Sequence, residues 1–180
     1  VVGGGLAGMS CAATLAERGA RVTLFESGAR LGGQLLIAAL IPSKVEFLCT
    51  RDHYEQLLRK HGVTVQLNYE FSPQDIDPKR WQHVVLAVGT KPKAWTPPST
   101  CQQRVINYHE LIQDNLPVEY PVVVLGGGGV ACDVAKFLLA RQSRVEASSH
   151  YFAEQATETL VGPIGPLPTN ERRITLLQRS

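Results

Sequence analysis

The sequence predicts an α/β chain of two units, each a parallel sheet covered by helices, with the second unit and the return of the first incomplete. Three observations carry this. Strand and helix patterns alternate along the 180 residues, as in parallel sheets crossed by helices. A strand, glycine turn and helix occur twice, as weak internal duplicates. Ten of the 16 glycines fall in three places: Gly3, Gly4, Gly5 and Gly8, then Gly32 and Gly33, then Gly126 to Gly129. Such clustering excludes a collagen-like or low-complexity chain, where glycine is periodic or spread.

The elements follow in order. Val1-Val2-Gly3 reads as the end of a strand in a chain that opens without Met, which points to a piece of a longer protein. After Gly8, the small and apolar residues Met9, Ala12, Ala13, Leu15 and Ala16 recur at helical spacing up to Gly19, a C-terminal stop. Arg21 to Phe25 is a short apolar strand ending at Glu26. A helix is predicted from about Lys44 to Lys60, with Phe47, Leu48, Tyr54, Leu57 and Leu58 on its apolar side. Val63 to Leu67 alternates as a strand, and His83 to Val88 reads as a more fully buried one. Pro92, Pro97 and Pro98 punctuate a loop, so the units are expected at 1–95 and 104–180 with a linker at 96–103. Tyr120 to Leu125 is a buried strand, Val130 to Leu139 a helix, and Arg173 to Gln178 a last short strand. Between them, Ser143 to Arg172 is polar, carries three prolines and lacks periodicity.

Composition narrows the function classes. Hydrophobic residues are 44% and charged residues 19%, a globular balance. The net charge of +2 is too small to imply a nucleic-acid partner. No apolar run reaches the roughly 18 residues of a membrane span, and no signal peptide opens the chain, so a soluble, cytoplasmic protein is expected. Cys11, Cys49, Cys101 and Cys132 form no C-x-x-C or metal-like cluster, which predicts buried thiols in a reducing compartment. Cys132 is expected to be a small core residue rather than a reactive thiol. None of the five histidines has a Ser or Asp partner in motif context, and no catalytic base is assigned.

The first glycine group has the form Gly3-x-Gly5-x-x-Gly8 between a strand and a helix. Gly3 permits the tight turn, Gly5 lets a pyrophosphate approach the backbone, and Gly8 lets helix and strand pack closely. The helix N-terminus offers unpaired N–H groups and partial positive charge. Glu26, at the end of the next strand, can accept from both hydroxyls of a ribose. Together these predict a Rossmann-like dinucleotide site; the bland alternative is a structural turn with a solvated Glu26. The third group, Gly126-x-Gly128-x-x-Ala131, repeats the pattern with alanine at the last position, which widens the packing slightly. Glu146 sits mid-run, so the strand ending in Arg179 closes this unit better. An arginine there can hold a ribose 2′-phosphate; otherwise it is an ordinary exposed strand-end residue. Leu31-Gly32-Gly33-Gln34 and Ala87-Val88-Gly89-Thr90 could lie against a cofactor or be plain turns.

Two such fingerprints about 120 residues apart, with a Gly-Gly and an Ala-x-Gly between, resemble the two-dinucleotide-binding flavoproteins. Within that superfamily the sequence resembles the FAD/NADPH portion of 2,4-dienoyl-CoA reductase and the related NADH:flavin oxidoreductase and trimethylamine dehydrogenase group. Gly32 to Phe47, Gly62 to Asn68 and Ile174 to Arg179 carry the likeness. The resemblance implies Glu26 on the FAD ribose, Gln34 and Lys44 along the flavin, and Phe71 near the adenine through its backbone. It places Arg179 and Ser180 on the NADP phosphate. With Gly33 and Gly89, these residues and the turn positions Gly3, Gly5, Gly8, Gly126, Gly128 and Ala131 make up the expected cofactor contacts. Lys44 could instead be a helix-start cation, and Phe71 a core residue.

The implied function is hydride transfer from NADPH to FAD, feeding a 4Fe-4S cluster and FMN that reduce an enoyl- or dienoyl-CoA in a barrel domain outside this chain. The disulfide reductases of the superfamily match poorly, because residues 34–44 contain no cysteine. The rivals are a flavin and NADPH unit of the glutamate synthase small-subunit type, and a non-catalytic ADP- or nucleotide-binding module.

Overall fold

Short apolar strands, each followed by a helix, leave one arrangement open: parallel pairing with the helices against the sheet. The computed structural model describes residues 1–93, 95, 104–150 and 173–177, with side chains of 142–150 left aside. The chain divides into two units, Val1–Val105 and Ile106–Ser180. The expected linker at 96–103 lies outside the described residues.

In the first unit, β1 (Thr23–Phe25) pairs in parallel with β2 (Thr64–Gln66). Val2 bridges Phe25 on one side and Leu86 on the other, both in parallel. Its N–H donates to the Val85 carbonyl at 2.8 Å, and its carbonyl accepts from the Ala87 N–H at 2.7 Å. The resulting order is Leu86, Val2, β1, β2. The 83–88 segment contributes one bridge rather than a full strand, and it is not buried: Leu86 and Val88 are 70% and 71% exposed. Apolar character alone does not bury a strand; an element must cover its face, and among the described residues none covers that of Leu86.

Helix α1 (Leu6–Glu17) begins two residues before Gly8. Its small residues Ala12 and Ala13 let it sit close to the sheet, and Met9 fills the space between them and Leu24. Met9, Leu24 and Leu58 are at most 1% exposed, each contributing about 1.5–3 kcal/mol of hydrophobic stabilisation. A short α2 (Gln34–Ala38) follows, then α3 (Phe47–Lys60). Helix α3 starts three residues later than the expected Lys44, and the turn before it includes Ser43 at φ +68°. Leu58 enters the core, with Tyr54 and Leu57 packed against it.

In the second unit, α4 (Tyr108–Gln113) opens on a capping box. The Glu110 N–H donates to Asn107 Oδ1 and the Asn107 N–H to Glu110 Oε2, satisfying two otherwise orphan donors. Strand β3 (Val122–Leu125) pairs in parallel with β4 (Ile174–Leu177), Leu125 opposite Leu177. The strand was expected to be buried, yet Val123 and Leu125 are more than half exposed. Helix α5 (Gly129–His150) puts Ala131, Val134, Phe137 and Leu138 inside, a spacing that lines one helical face. It runs eleven residues past the expected end at Leu139, into the stretch from Ser143 that was expected to be irregular. No glycine or proline occurs between Val130 and His150, so nothing in that span breaks the helix. Residues 151–172 lie outside the description.

Candidate functional site

The first unit gathers its glycines around the N-terminus of α1. Gly3 turns at φ +106° as its N–H donates to the Phe25 carbonyl at 2.8 Å. A Cβ on Gly3 would overlap the Ala87 carbonyl, and one on Gly8 would overlap the Gly3 carbonyl oxygen. Both positions therefore require glycine for packing within the protein. Gly5 differs, since a Cβ there would meet nothing within 4 Å. It is the N-cap of α1, supplies no side-chain cap, and no acidic residue follows in the first turn. The first-turn N–H groups and the helix dipole thus face open space, an arrangement suited to a phosphate.

The second glycine pair closes on the first. The Gly32 N–H donates to the Gly4 carbonyl at 2.8 Å, and Gly5 and Gly32 form a parallel bridge. Gly33 sits at φ +51°, where a Cβ would stand 3.0 Å from the Gly5 Cα. Gln34, the first residue of α2, donates from Nε2 to the Thr90 carbonyl at 3.2 Å, and so ties this loop to the turn at Gly89 (φ +72°). Residues far apart in the sequence, 3–8, 32–34 and 89–90, become one lining. Glu26 stands at its edge, accepting from the N–H groups of Gly4 and Gly28 at 2.6 Å each and from Ser27 Oγ at 3.3 Å.

Lys44 lies in the turn before α3, its Nζ 6.0 Å from the Phe47 ring centre. The Phe71 ring packs on Phe25 with centres 4.9 Å apart, in a group completed by Tyr69 and Trp81. The Phe71 side chain is thus part of an aromatic cluster. These rings, with Gln66, Gln74, Asp75, Asp77 and Arg80, line a cleft of about 300 Å³. Asp75 accepts from the Ser72 N–H, the Ser72 hydroxyl and the Tyr69 hydroxyl. The Ser72 N–H first, and the Tyr69 hydroxyl next, hold this carboxyl below its ordinary range, and the same bond pushes the Tyr69 phenol up.

The second turn is looser. Gly126 turns at φ +133°, its N–H bonded to the Leu177 carbonyl at 2.7 Å. Ala131 is 7% exposed, and its Cβ lies 3.8 Å from where a Cβ on Gly126 would be. That is ordinary contact, so alanine fits where the first turn demands glycine. A Cβ on Gly128 would meet nothing within 4 Å. Glu146 lies within α5 rather than at the end of a strand. Arg179 and Ser180 lie outside the described residues.

The cysteines depart from expectation: Cys49 and Cys132 are exposed and Cys11 is half-buried, all three as free thiols. Cys132 is on the first turns of α5 but outside its buried stripe, one residue beyond Ala131. Cys101 is outside the described residues. Among the described residues no group of side chains could hold a metal, and no helix is long and apolar enough to cross a membrane. Sequence reasoning did not single out Gly28, the packing of Leu31 against Gly4 or the grouping of rings around Phe25. The one available signal was Glu26-x-Gly28, a glycine two residues after the acid.

The sequence model of the pyridine nucleotide-disulphide oxidoreductase family matches residues 1–160. The chain belongs to this family. Over 151 residues it is 34% identical to an NADH oxidase of Thermoanaerobacter brockii, covering 81% of this chain and 23% of that protein. A metal reductase of Desulforamulus reducens is 28% identical over 99% of this chain and 27% of its own length. Among solved structures, a 2-naphthoyl-CoA reductase superposes with a TM-score of 0.71 at 26% identity, covering 79% of this chain and 22% of that one. The chain thus spans about a quarter of the length of the curated relatives it matches. These likenesses place it among two-dinucleotide-binding flavoproteins of the NADH:flavin oxidoreductase kind, without singling out a dienoyl-CoA reductase.

Proposed function

We propose that the chain is the FAD- and NADPH-binding part of a flavoprotein oxidoreductase that reduces an unsaturated acyl-CoA, of the 2,4-dienoyl-CoA reductase type. One observation carries the reading: the open, uncapped N-terminus of α1 is walled by Gly5 and Gly33 and edged by the Glu26 carboxylate. The residues fit a dinucleotide, because of the first-turn glycines Gly3, Gly4, Gly5 and Gly8 only Gly5, at which a pyrophosphate must come close, would carry a Cβ into open space. FAD, when bound, supplies a two-electron acceptor for hydride. The chain's own residues hold and orient: α1 amides face the phosphates, Glu26 accepts from the ribose, and the Gly32 to Gln34 loop lies along the flavin side with Lys44. Gly126, Gly128 and Ala131 would form the NADPH turn, with Arg179 and Ser180 on its 2′-phosphate. FMN, a 4Fe-4S cluster and the acyl-CoA site would belong to the rest of the protein. The likeness to 2-naphthoyl-CoA reductase supports a CoA-ester acceptor.

The relation to an NADH oxidase favours a second reading in which NADH is the donor. Anaerobic absorbance spectra of the intact protein test both. Flavin bands that bleach with NADPH faster than with NADH, and recover on adding a 2,4-dienoyl-CoA, are expected. Preference for NADH would support the second reading. A colourless protein would overturn both.

A further inference from the structure

We propose that Gly4 and Gly28 are positioning residues for Glu26: their two backbone N–H groups fix its carboxylate and leave its other lone pairs for the vicinal hydroxyls of the adenosine ribose. This rests on the first site holding FAD. Each N–H reaches a different carboxylate oxygen, Gly4 to Oε2 and Gly28 to Oε1, both at 2.6 Å. A carboxylate has about four acceptor positions: an amide takes one on each oxygen, the longer 3.3 Å bond from Ser27 Oγ takes a second on Oε1, and a ribose hydroxyl can take the open position on Oε2 and displace the Ser27 hydroxyl on Oε1.

The clamp is itself held. Glu26 donates its N–H to the Gln66 carbonyl at 2.9 Å and accepts at its carbonyl from the Tyr69 N–H at 3.0 Å. Gly28 accepts from the Asn68 N–H at 3.0 Å. On the other side, the Gly4 carbonyl is bound by the Gly32 N–H. The loop after β1 is therefore bolted to the end of β2, and the turn after Val2 to the second glycine pair. Each glycine that supplies an amide to the carboxylate is thus also held through its own carbonyl. The lack of side chains matters as well. A Cβ on Gly4 would come within 2.5 Å of Leu31 Cδ2 and 2.8 Å of Glu26 Oε2, and Leu31 is 4% exposed with no room to retreat. A Cβ on Gly28 would stand 3.1 Å from Glu26 Oε1. Freezing the acceptor before the nucleotide arrives removes the entropy of ordering a flexible glutamate from binding.

The test uses the intact protein stripped of flavin, titrated with FAD and with an FAD analogue carrying 2′-deoxyribose in its adenosine half, followed by flavin fluorescence. Wild type should prefer FAD by about tenfold or more, the value of one hydrogen bond to a charged group. Gly28→Pro deletes one donor, and Gly4→Ala drives the carboxylate off its seat. Each should reduce the preference to about twofold or less, chiefly by weakening FAD. A ratio of affinities is insensitive to the folded fraction, and Gly4→Ala carries the test where Gly28→Pro does not fold. Variants that weaken both ligands equally, keeping the wild-type ratio, would overturn the positioning role while leaving the FAD site intact. A wild-type ratio near one would overturn the ribose assignment of Glu26, and the clamp with it.

Discussion

Gly8→Ala isolates the packing claim at the first turn. The added methyl would overlap the Gly3 carbonyl oxygen, with the Gly3 carbonyl carbon at 3.0 Å and the Ala87 Cβ at 3.5 Å. The obstacle is backbone, in a turn whose Gly3 N–H is bonded to Phe25, so no side-chain rotation can relieve it. Overpacking of this kind costs about 1–3 kcal/mol, and a rigid backbone obstacle belongs at the upper end. Alanine's helix propensity returns about 1 kcal/mol. The net destabilisation is about 2 kcal/mol, roughly thirtyfold in affinity if all of it appears as flavin binding. The control is Ala131→Gly in the second unit, where the same position already carries a methyl, 7% exposed. That change should cost about 1 kcal/mol of propensity and leave flavin content unchanged. Thermal unfolding and flavin-to-protein absorbance of the intact protein measure both. A Gly8→Ala protein as stable and as yellow as wild type would refute the close-packing argument.

Three further outcomes are expected. Arg179→Ala should weaken NADPH by about ten- to a hundredfold while barely changing NADH; equal losses in the two KM values would remove the 2′-phosphate assignment. Glu26→Arg should abolish flavin retention, since it removes the ribose acceptor and crowds the Gly4 and Gly28 amides; normal flavin content would sink the first-site reading. Asp75, whose carboxyl is held low in the folded state, adds stability that is present above the ordinary carboxylate range and lost as pH falls through its folded value. Tyr69→Phe removes one of its donors, so the drop in urea midpoint between about pH 6 and pH 3 should be smaller in the variant. Identical drops would show that the bond does not couple to protonation.

The elements with strong local signals were legible in the sequence. The β1, β2, β3 and β4 strands lie inside their expected spans, and the parallel β3–β4 pair bears out the choice of the last strand over the run containing Glu146. What failed were inferences about burial. Leu86, Val88, Val123 and Leu125 are apolar yet exposed, because hydrophobicity states a preference and only a neighbouring element can satisfy it. Cys132 failed for a related reason: helical phase places Ala131 and Val134 inward and leaves Cys132, between them, exposed. At the site, the glycines that carry a motif were visible, while Gly28 and Leu31 were not. Their roles depend on approaches to Glu26 and Gly4, of which the spacing Glu26-x-Gly28 is the one trace in the sequence.

The same motif builds two different turns, and the last position of each explains why. In the first, Gly8 backs directly onto the Gly3 carbonyl, so α1 and its strand are as close as backbone allows. In the second, the Ala131 methyl lies 3.8 Å from where a Cβ on Gly126 would be. A helix that stands off by a methyl holds its N-terminal amides less rigidly against the turn, since side-chain packing yields more easily than backbone against backbone. Preorganisation lowers the cost of binding, so the tighter turn suits a resident ligand and the looser one a ligand that must leave every cycle. On the proposed reading, in which the first unit keeps a flavin and the second exchanges a nicotinamide, the tighter turn falls at the resident ligand. The paired variants Gly8→Ala and Ala131→Gly measure that asymmetry: a protein in which both changes cost the same would show that the methyl, and not the cofactor, was the only difference between the turns.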